Sequence, residues 1–272
     1  MRMVLTGCAS GIGRHLAGAL ARKGHRLIAT DLDEVALAGA AEHEGWSAAS
    51  VIRQKLDVRS EAEWETVMEA AESELGGIDV LFNIAGFLNA AYVTDFTQRD
   101  LDIHLDVNAK GTMLGTRAAA RRMVKAGVGH IVNIGSLASL APIPGLSLYS
   151  ASKFAVRGFT LAAATELRPR GVAVTLIMPD AVATPMLDKQ LDREEAALTF
   201  SGSRPLTVAD IARVVLEHVL PERPLEVTIP QGRGLLARAA NTAPHLARVL
   251  APMLLKKGKK RQEEILRGTG KR

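Results

Sequence analysis

The 272-residue sequence predicts an α/β protein built on one doubly wound parallel sheet, and three observations carry that reading. Short β-branched runs alternate with helix-length amphipathic stretches through seven units, the pattern of strands joined by helical crossovers. Hydrophobic residues make up 47% of the chain and aromatics only 4%, so the core is drawn from Ala, Val, Leu and Ile, as suits strands covered by helices on both faces. A glycine-rich turn, Gly7-Cys8-Ala9-Ser10-Gly11-Ile12-Gly13, joins the first strand to the first helix, the context in which such a turn signals a nucleotide site.

Residues 3–6 form the first strand, and the helix after the turn runs to about residue 23 with Ile12, Leu16 and Leu20 on one stripe. Gly7 and Gly11 let the backbone approach a pyrophosphate, and Gly13 lets the helix pack closely. The helix N-terminus, from Ser10 and Ile12 onward, adds N–H groups and positive potential. An ordinary βα turn is the plain alternative. Residues 25–30 form the second strand, which ends at Asp31, with Leu32 beside it at the adenosine end of the site. An acid there accepts from the ribose 2′-hydroxyl of NAD and repels a 2′-phosphate, so NAD is the expected cofactor. Capping the next helix is the other task open to Asp31.

The third strand, 51–56, ends in Asp57-Val58, and Ser60 to Glu63 reads as a capping box opening a helix that Gly76-Gly77 stops. The fourth strand, 79–83, leads into Asn83-Ile84-Ala85-Gly86. A long helix from Thr97 to about residue 126 carries Asn108, either a satisfied buried amide or a residue that kinks the helix or relays protons.

The fifth strand, 130–134, breaks at Gly135-Ser136, and after a Pro/Gly-rich loop a helix opens near Tyr149 and reaches about residue 167. Lys153 lies four residues after Tyr149 and so shares its helix face. Ser136 is close enough in sequence for the loop to fold it back over the helix start. A phenol titrates near ~10, and a neighbouring cation favours its phenolate, which brings it toward the range of a general base. A Ser-rich loop before a helix with one surface Lys is the bland alternative. The sixth strand, 172–177, runs into Met178-Pro179-Asp180, and Val182 and Thr184 follow. Residues 187–205 are charged and poorly periodic, a lid or a set of short helices. Thr207 and Asp210 cap a helix to about residue 219, and 225–229 make the seventh strand. Gly7 to Gly13, Asp31, Asp57, Asn83 to Gly86, Ser136, Tyr149 and Pro179 to Thr184 all lie at a strand's carboxyl end or at the helix start after it, where such sheets bind ligands.

With these residues in place, the sequence resembles the short-chain dehydrogenase/reductase family over residues 1–230. The resemblance rests on Thr-Gly-x-x-x-Gly-x-Gly at 6–13, Asn-x-Ala-Gly at 83–86, and Asn108, Ser136, Tyr149 and Lys153. It implies a Rossmann-like sheet in the order 3-2-1-4-5-6-7 and nicotinamide-dependent interconversion of an alcohol and a carbonyl compound. In that scheme Tyr149 exchanges the hydroxyl proton and Ser136 orients the substrate oxygen. Lys153 holds the nicotinamide ribose and lowers the Tyr149 pKa, and Asn108 supports a water that links Lys153 to solvent. Asp57 and Val58 match the adenine contacts, and Pro179, Val182 and Thr184 the segment around the carboxamide. Asn83, Ala85 and Gly86 belong to the cofactor set.

Ile84 replaces a second Asn often found in the fourth-strand motif, and Asp180 stands where the family usually has Gly. Asp180 either selects a polar group on the substrate or caps the following turn. Apolar lid and loop positions, Leu187, Leu191, Leu198, Phe200, Leu137, Leu140, Ile143 and Leu146, predict a largely apolar substrate, unless they belong to the core or an oligomer contact. Three other readings are an idle NAD-binding sensor or scaffold, a 3-oxoacyl-type reductase, which Asp31 disfavours through its preference against NADPH, and an epimerase on an extended fold.

One cysteine, Cys8, excludes an internal disulfide, and without a His cluster no metal site is expected. The start has no secretory pattern and no run reaches the ~18 apolar residues of a membrane span, which predicts a cytoplasmic protein. A homodimer or homotetramer is the expected assembly. The whole chain carries +5, yet residues 233–272 hold eleven Lys/Arg against Glu263 and Glu264, so the body is mildly acidic and the tail strongly basic.

The expected division is a catalytic domain, 1–232, and a basic extension, 233–272. The extension carries Leu235, Leu236, Leu246, Val249, Leu250, Met253, Leu254 and Leu255 ahead of Lys256, Lys257, Lys259, Lys260 and Arg261. Pro244 and Pro252 argue against one straight helix. The leucines either pack on the body or a subunit, or lie on an anionic membrane surface. Nucleic acid is not an expected partner, since the tail has no aromatic residue to stack on bases.

Overall fold

The computed structural model describes residues 1–202 and 204–268. The chain opens with β1 (Arg2–Thr6), α1 (Gly11–Arg22), β2 (Arg26–Asp31), α2 (Glu34–Glu44), β3 (Val51–Lys55), α3 (Glu61–Ala70) and β4 (Val80–Asn83). It continues with α4 (Gln98–Ile103), α5 (Gly111–Ala126), β5 (Gly129–Ile134), α6 (Ser147–Leu167) and β6 (Val172–Pro179). Short helices α7 (Pro185–Asp188), α8 (Val208–Val214) and α9 (Leu220–Glu222) precede β7 (Glu226–Ile229), and α10 (Gln231–Thr242) and α11 (Pro244–Gly268) form the tail.

All seven strands are parallel and ordered β3-β2-β1-β4-β5-β6-β7. The order reverses at β1, whose neighbours are β2 and β4, so a crevice opens at the carboxyl ends of β1 and β4. Alternate residues of each strand feed two cores. Met3 and Leu5 join Leu16, Leu20, Ile211 and Val215 on one face, while Val4 joins Trp64, Val67, Met68, Ala119 and Met123 on the other. These side chains are buried, and at ~25 cal/mol per Å² their burial is the main force holding both layers to the sheet.

Three local findings differ from the sequence reading. The helix expected from Thr97 to about 126 is interrupted: α4 and α5 are joined by a π-helical turn, His104–Lys110, that contains Asn108. The cap of α2 is Asp33, whose side chain accepts from Ala36 N at 2.9 Å, so Asp31 is spared that task. Ser60 does cap α3, but Glu63 turns away from it and accepts from Asp57 N at 2.7 Å.

The tail forms two helices. Pro244 begins α11, where its missing N–H costs nothing, but α11 then runs through Pro252 without ending. Leu254 and Leu255 are partly buried, and Gly258 and Gln262 are buried against the segment Glu194–Ser201 and the turn before it. Gln262 Nε2 donates to Gln190 O and Arg193 O at 2.8 Å each, Arg261 donates to Gly202 O at 2.9 Å, and Lys259 pairs with Glu194. The packing alternative is therefore the one seen for α11. The side chains of Leu246 and Leu250, and residues 269–272 of the extension, lie outside the described residues. No helix among the described residues is long and apolar enough to cross a membrane.

Candidate active site

The glycine turn is built as tightly as glycine permits. Gly7 (φ +69°) and Gly11 (φ +54°) occupy the left-handed region, and a Cβ on Gly13 would sit 2.1 Å from Gly7 O. Ser10 precedes α1 without capping it through its side chain, which leaves first-turn N–H groups for an anion. Asp31 accepts from Ala9 N at 2.9 Å and Asp33 N at 3.1 Å, so its carboxylate is pinned against the same turn. Leu32, 55% exposed, stands beside it. This cradle fits a dinucleotide: open amides for phosphate, and next to them a carboxylate for a ribose diol.

Thr6 explains why the first and fourth-strand motifs occur together. Its hydroxyl accepts from Ile84 N at 2.9 Å and Ala85 N at 3.0 Å, bracing the loop after β4 against β1. A Cβ on Gly7 would meet Ala85 Cα at 2.9 Å, so the two loops touch. Asn83 has a different place from the one expected. It is buried, and its Nδ2 donates to Asn133 Oδ1 at 2.8 Å and Thr116 Oγ1 at 3.2 Å, cross-bracing β4, β5 and α5 rather than facing the cofactor cleft. Asp57 is held by Arg59 at 2.6 Å, which lowers its carboxyl pKa, and Val58 is buried with its carbonyl accepting from Trp64 Nε1 at 3.0 Å.

Ser136, Tyr149 and Lys153 converge on one cavity of about 320 Å³, together with Ile12, Ile84, Gly86, Pro179, Val182 and Thr184. Ser136 Oγ accepts from Ala138 N at 3.1 Å, which fixes the hydroxyl and leaves its proton for another acceptor. Lys153 is 4% exposed; its Nζ donates to Ile134 O at 2.9 Å and lies 5.6 Å from the Tyr149 ring centroid. Asn108 is completely buried and satisfied: Oδ1 accepts from Phe87 N at 2.7 Å, and Nδ2 donates to Phe87 O and Ser152 Oγ, both at 2.9 Å. Its carbonyl accepts from Thr112 Oγ1 at 2.8 Å. Its amide ties the π turn to the loop after β4 and, through Ser152, to the helix that bears Tyr149 and Lys153.

The electrostatics run against the expectation that Lys153 lowers the Tyr149 pKa. Burial pushes the phenol up to about 12, opposed only by a hydrogen bond with Ser136, and the same burial brings Lys153 down to about 8. Removal from water disfavours both charges, so each group moves toward its neutral form.

The cavity walls are mostly apolar. Leu137, Ile143, Leu146, Leu187 and Leu198 line them as the sequence suggested, whereas Leu140 belongs to the core beneath, and Phe200 and Leu191 support the lid from outside the cavity. Two contributions were not foreseen. Leu88 comes from the loop after β4, and the tail supplies Arg233, Leu236, Ala237 and Ala240 from α10 and Leu254 from α11. A division after residue 232 therefore falls inside α10 and cuts through the cavity wall. The three- and four-residue spacing of Arg233, Leu236, Ala237 and Ala240 was the available signal, but nothing local said where that face would dock. Asp180 also lines the cavity, 2.5 Å from Arg233, so it is more than a turn cap.

A family profile described as short chain dehydrogenase matches residues 2–195. The chain is 39% identical over 186 residues to the 3-alpha-(or 20-beta)-hydroxysteroid dehydrogenase of Mycobacterium bovis, covering 68% of this chain and 70% of that protein. It is 32% identical over 249 residues to the cyclopentanol dehydrogenase of Comamonas sp., covering 89% and 96%. A solved short chain dehydrogenase/reductase from Burkholderia phymatum in complex with NAD superposes with a TM-score of 0.81 at 28% identity, over 90% of this chain and 94% of that one. With the sheet order, the glycine turn and these matches together, the chain belongs to the short-chain dehydrogenase family.

Proposed function

We propose that the protein is an NAD(H)-dependent oxidoreductase that interconverts a secondary alcohol and a ketone on a largely apolar substrate. The observation that carries this reading is the convergence of Ser136, Tyr149 and Lys153 on an apolar cavity that continues to Ile12 and Thr184 beside the glycine turn. The names of the relatives, hydroxysteroid and cyclopentanol dehydrogenase, support a secondary carbinol. NAD, when bound, supplies the hydride acceptor or donor. The chain does the rest. Amides of the glycine turn hold pyrophosphate, Asp31 accepts from the adenosine ribose, and Lys153 donates to the nicotinamide ribose. Ser136 donates to the substrate oxygen, and Tyr149 takes up or returns its proton. Asn108 holds the π turn and the helix of Tyr149 in register.

Reduction of a panel of apolar ketones with NADH tests the proposal. Tyr149→Phe keeps the ring and removes the exchangeable proton, so turnover is expected to fall by about 100-fold or more while NAD affinity is nearly retained. Substantial turnover in that variant would refute the assignment of Tyr149. NAD binding without turnover of any carbonyl compound by the unmutated chain would instead favour a sensor or scaffold. A strong preference for NADPH with acyl-carrier substrates would favour a 3-oxoacyl-type reductase.

Two features of the assembly belong to the same proposal. The resemblance supports a homodimer or homotetramer, which light scattering tests. The outward stripe of the tail combines exposed Val249 and Met253 with exposed Lys256, Lys257 and Lys260, a surface suited to adsorption on anionic headgroups.

A further inference from the structure

The cavity holds a second polar point that the chemistry above does not use. Asp180, at the end of β6, and Arg233, in the first turn of α10, both line it, on different elements from Ser136 and Tyr149. Around them the walls are Leu137, Ile143, Leu198, Leu236 and Ala237. The backbone that carries Arg233 is fixed, while its side chain keeps 35% exposure. A Cβ on the next residue, Gly234, would lie 2.1 Å from Thr228 Oγ1, so the backbone of α10 starts in contact with β7. A Cβ on Gly202 would meet Arg233 Nη1 at 3.4 Å and Asp180 Oδ2 at 3.5 Å, so the end of the lid lies within contact reach of the pair.

The guanidinium has five N–H donors. Among the described residues its one partner is Asp180 Oδ2, 2.5 Å from Nε, and that N–H is buried without aligning on the oxygen as a hydrogen bond. No other side chain or carbonyl among the described residues accepts from it. Donors at the wall of an apolar cavity are either matched by a ligand oxygen or left to water. Resting on the oxidoreductase reading, we infer that Arg233, positioned by Asp180, binds a second oxygen of the substrate at a distance from the carbon that reacts. The charge balance specifies the kind of oxygen. Asp180 already neutralises the cation, and an added carboxylate would lie beside a second carboxylate. The acceptor is therefore neutral, a ketone, hydroxyl or ester oxygen, and the substrate class is a bifunctional apolar compound such as a diketone, hydroxy ketone or diol.

The test compares NADH-dependent reduction of a decalone with that of decalin diones carrying the second carbonyl on the far ring, and of a decalone bearing a carboxylate there. The expected result is that the best dione exceeds the decalone by about tenfold or more in kcat/KM, mainly through KM, and that the keto acid gains nothing. Arg233→Leu is expected to bring the dione-to-decalone ratio to within about twofold of unity, with the loss falling on the dione. Asp180→Asn removes the repelling charge and is expected to shift preference toward the keto acid, a gain that a merely structural role would not produce. Equal reduction of decalone and diones by the unmutated protein, or an equal loss on both in Arg233→Leu, would overturn the inference while leaving the oxidoreductase reading standing. Failure of the unmutated protein to reduce any of them would refute both.

Discussion

Lys153 shows how a single residue is placed against its own preference. Its ammonium is almost fully buried, with one carbonyl partner and no carboxylate among its described contacts, and its pKa falls from 10.5 to about 8. At ~1.4 kcal/mol per pKa unit, the fold bears a cost on the order of 3 kcal/mol at neutral pH for keeping it charged. The sign is set by protons bound. Between about 8 and 10.5 the unfolded chain holds the proton and the folded chain does not, so this cost is full below 8 and relieved as pH rises through that window. Lys153→Met should therefore abolish turnover yet raise the melting temperature of the cofactor-free protein at pH ~7, with the gain shrinking toward pH ~10; a thermal-shift series across pH checks it. Asp31 carries the cofactor choice. Asp31→Asn removes the charge and keeps one of the two amide contacts, since Ala9 N donates to one carboxylate oxygen and Asp33 N to the other, so use of NADP relative to NAD should rise by about tenfold in paired initial-rate assays. Both residues stood out in the sequence by position. The direction of the Tyr149 and Lys153 shifts did not, because desolvation is set by neighbours from every strand end.

At the scale of elements, two close approaches organise the substrate side. Gly145, in the left-handed region at φ +79°, brings the loop before α6 against the Glu194–Ser201 segment, where a Cβ would lie 2.0 Å from Glu195 O. Gly258 does the same for α11, with a Cβ 2.0 Å from Ala197 O. The lid is thus clamped between a loop that carries cavity wall and a helix that carries Leu254. Gly258→Leu should lift α11 from the lid, raise KM for apolar ketones by several-fold, and lower stability by about 1–3 kcal/mol as other overpacked sites do, measured by steady-state kinetics and urea titration. The π turn at 104–110 shows the opposite limit of legibility. Asn108 was conspicuous in the sequence as a polar residue in a packable stretch, but an α-helical and a π-helical turn share nearly the same apolar spacing. Only the amide's bonds to Phe87 and Ser152 settle which one forms.

For the whole molecule, one sheet gathers the chemistry at one rim and the tail closes over it. Of the tail's described cations, Arg233 and Arg238 pair with Asp180 and Glu226, and Lys259 and Arg261 bind Glu194 and Gly202, whereas Lys256, Lys257 and Lys260 of α11 are exposed. Replacing Lys256, Lys257 and Lys260 with Glu leaves the docking face intact. If the outward stripe adsorbs to lipid, co-sedimentation with anionic vesicles should be lost in that variant and in high salt, at about 1 kcal/mol per cation near the surface. Absence of binding by the unmutated chain at low salt would remove the membrane from the proposal.

The sequence by itself determined whatever depends on residues close along the chain. Alternation of strand and helix, the glycine turn between β1 and α1, the acid ending β2, and the four-residue spacing of Tyr149 and Lys153 are local, and local geometry follows from a 2.0 or 3.6 residue period. Tertiary structure alone decided that Asn83 braces β4 against β5, that α10 and α11 wall the cavity, and that Asp180 meets Arg233. An amphipathic face states only that it will be covered. What covers it, and which buried charge finds which partner, is a property of surfaces that come together only when the sheet is complete.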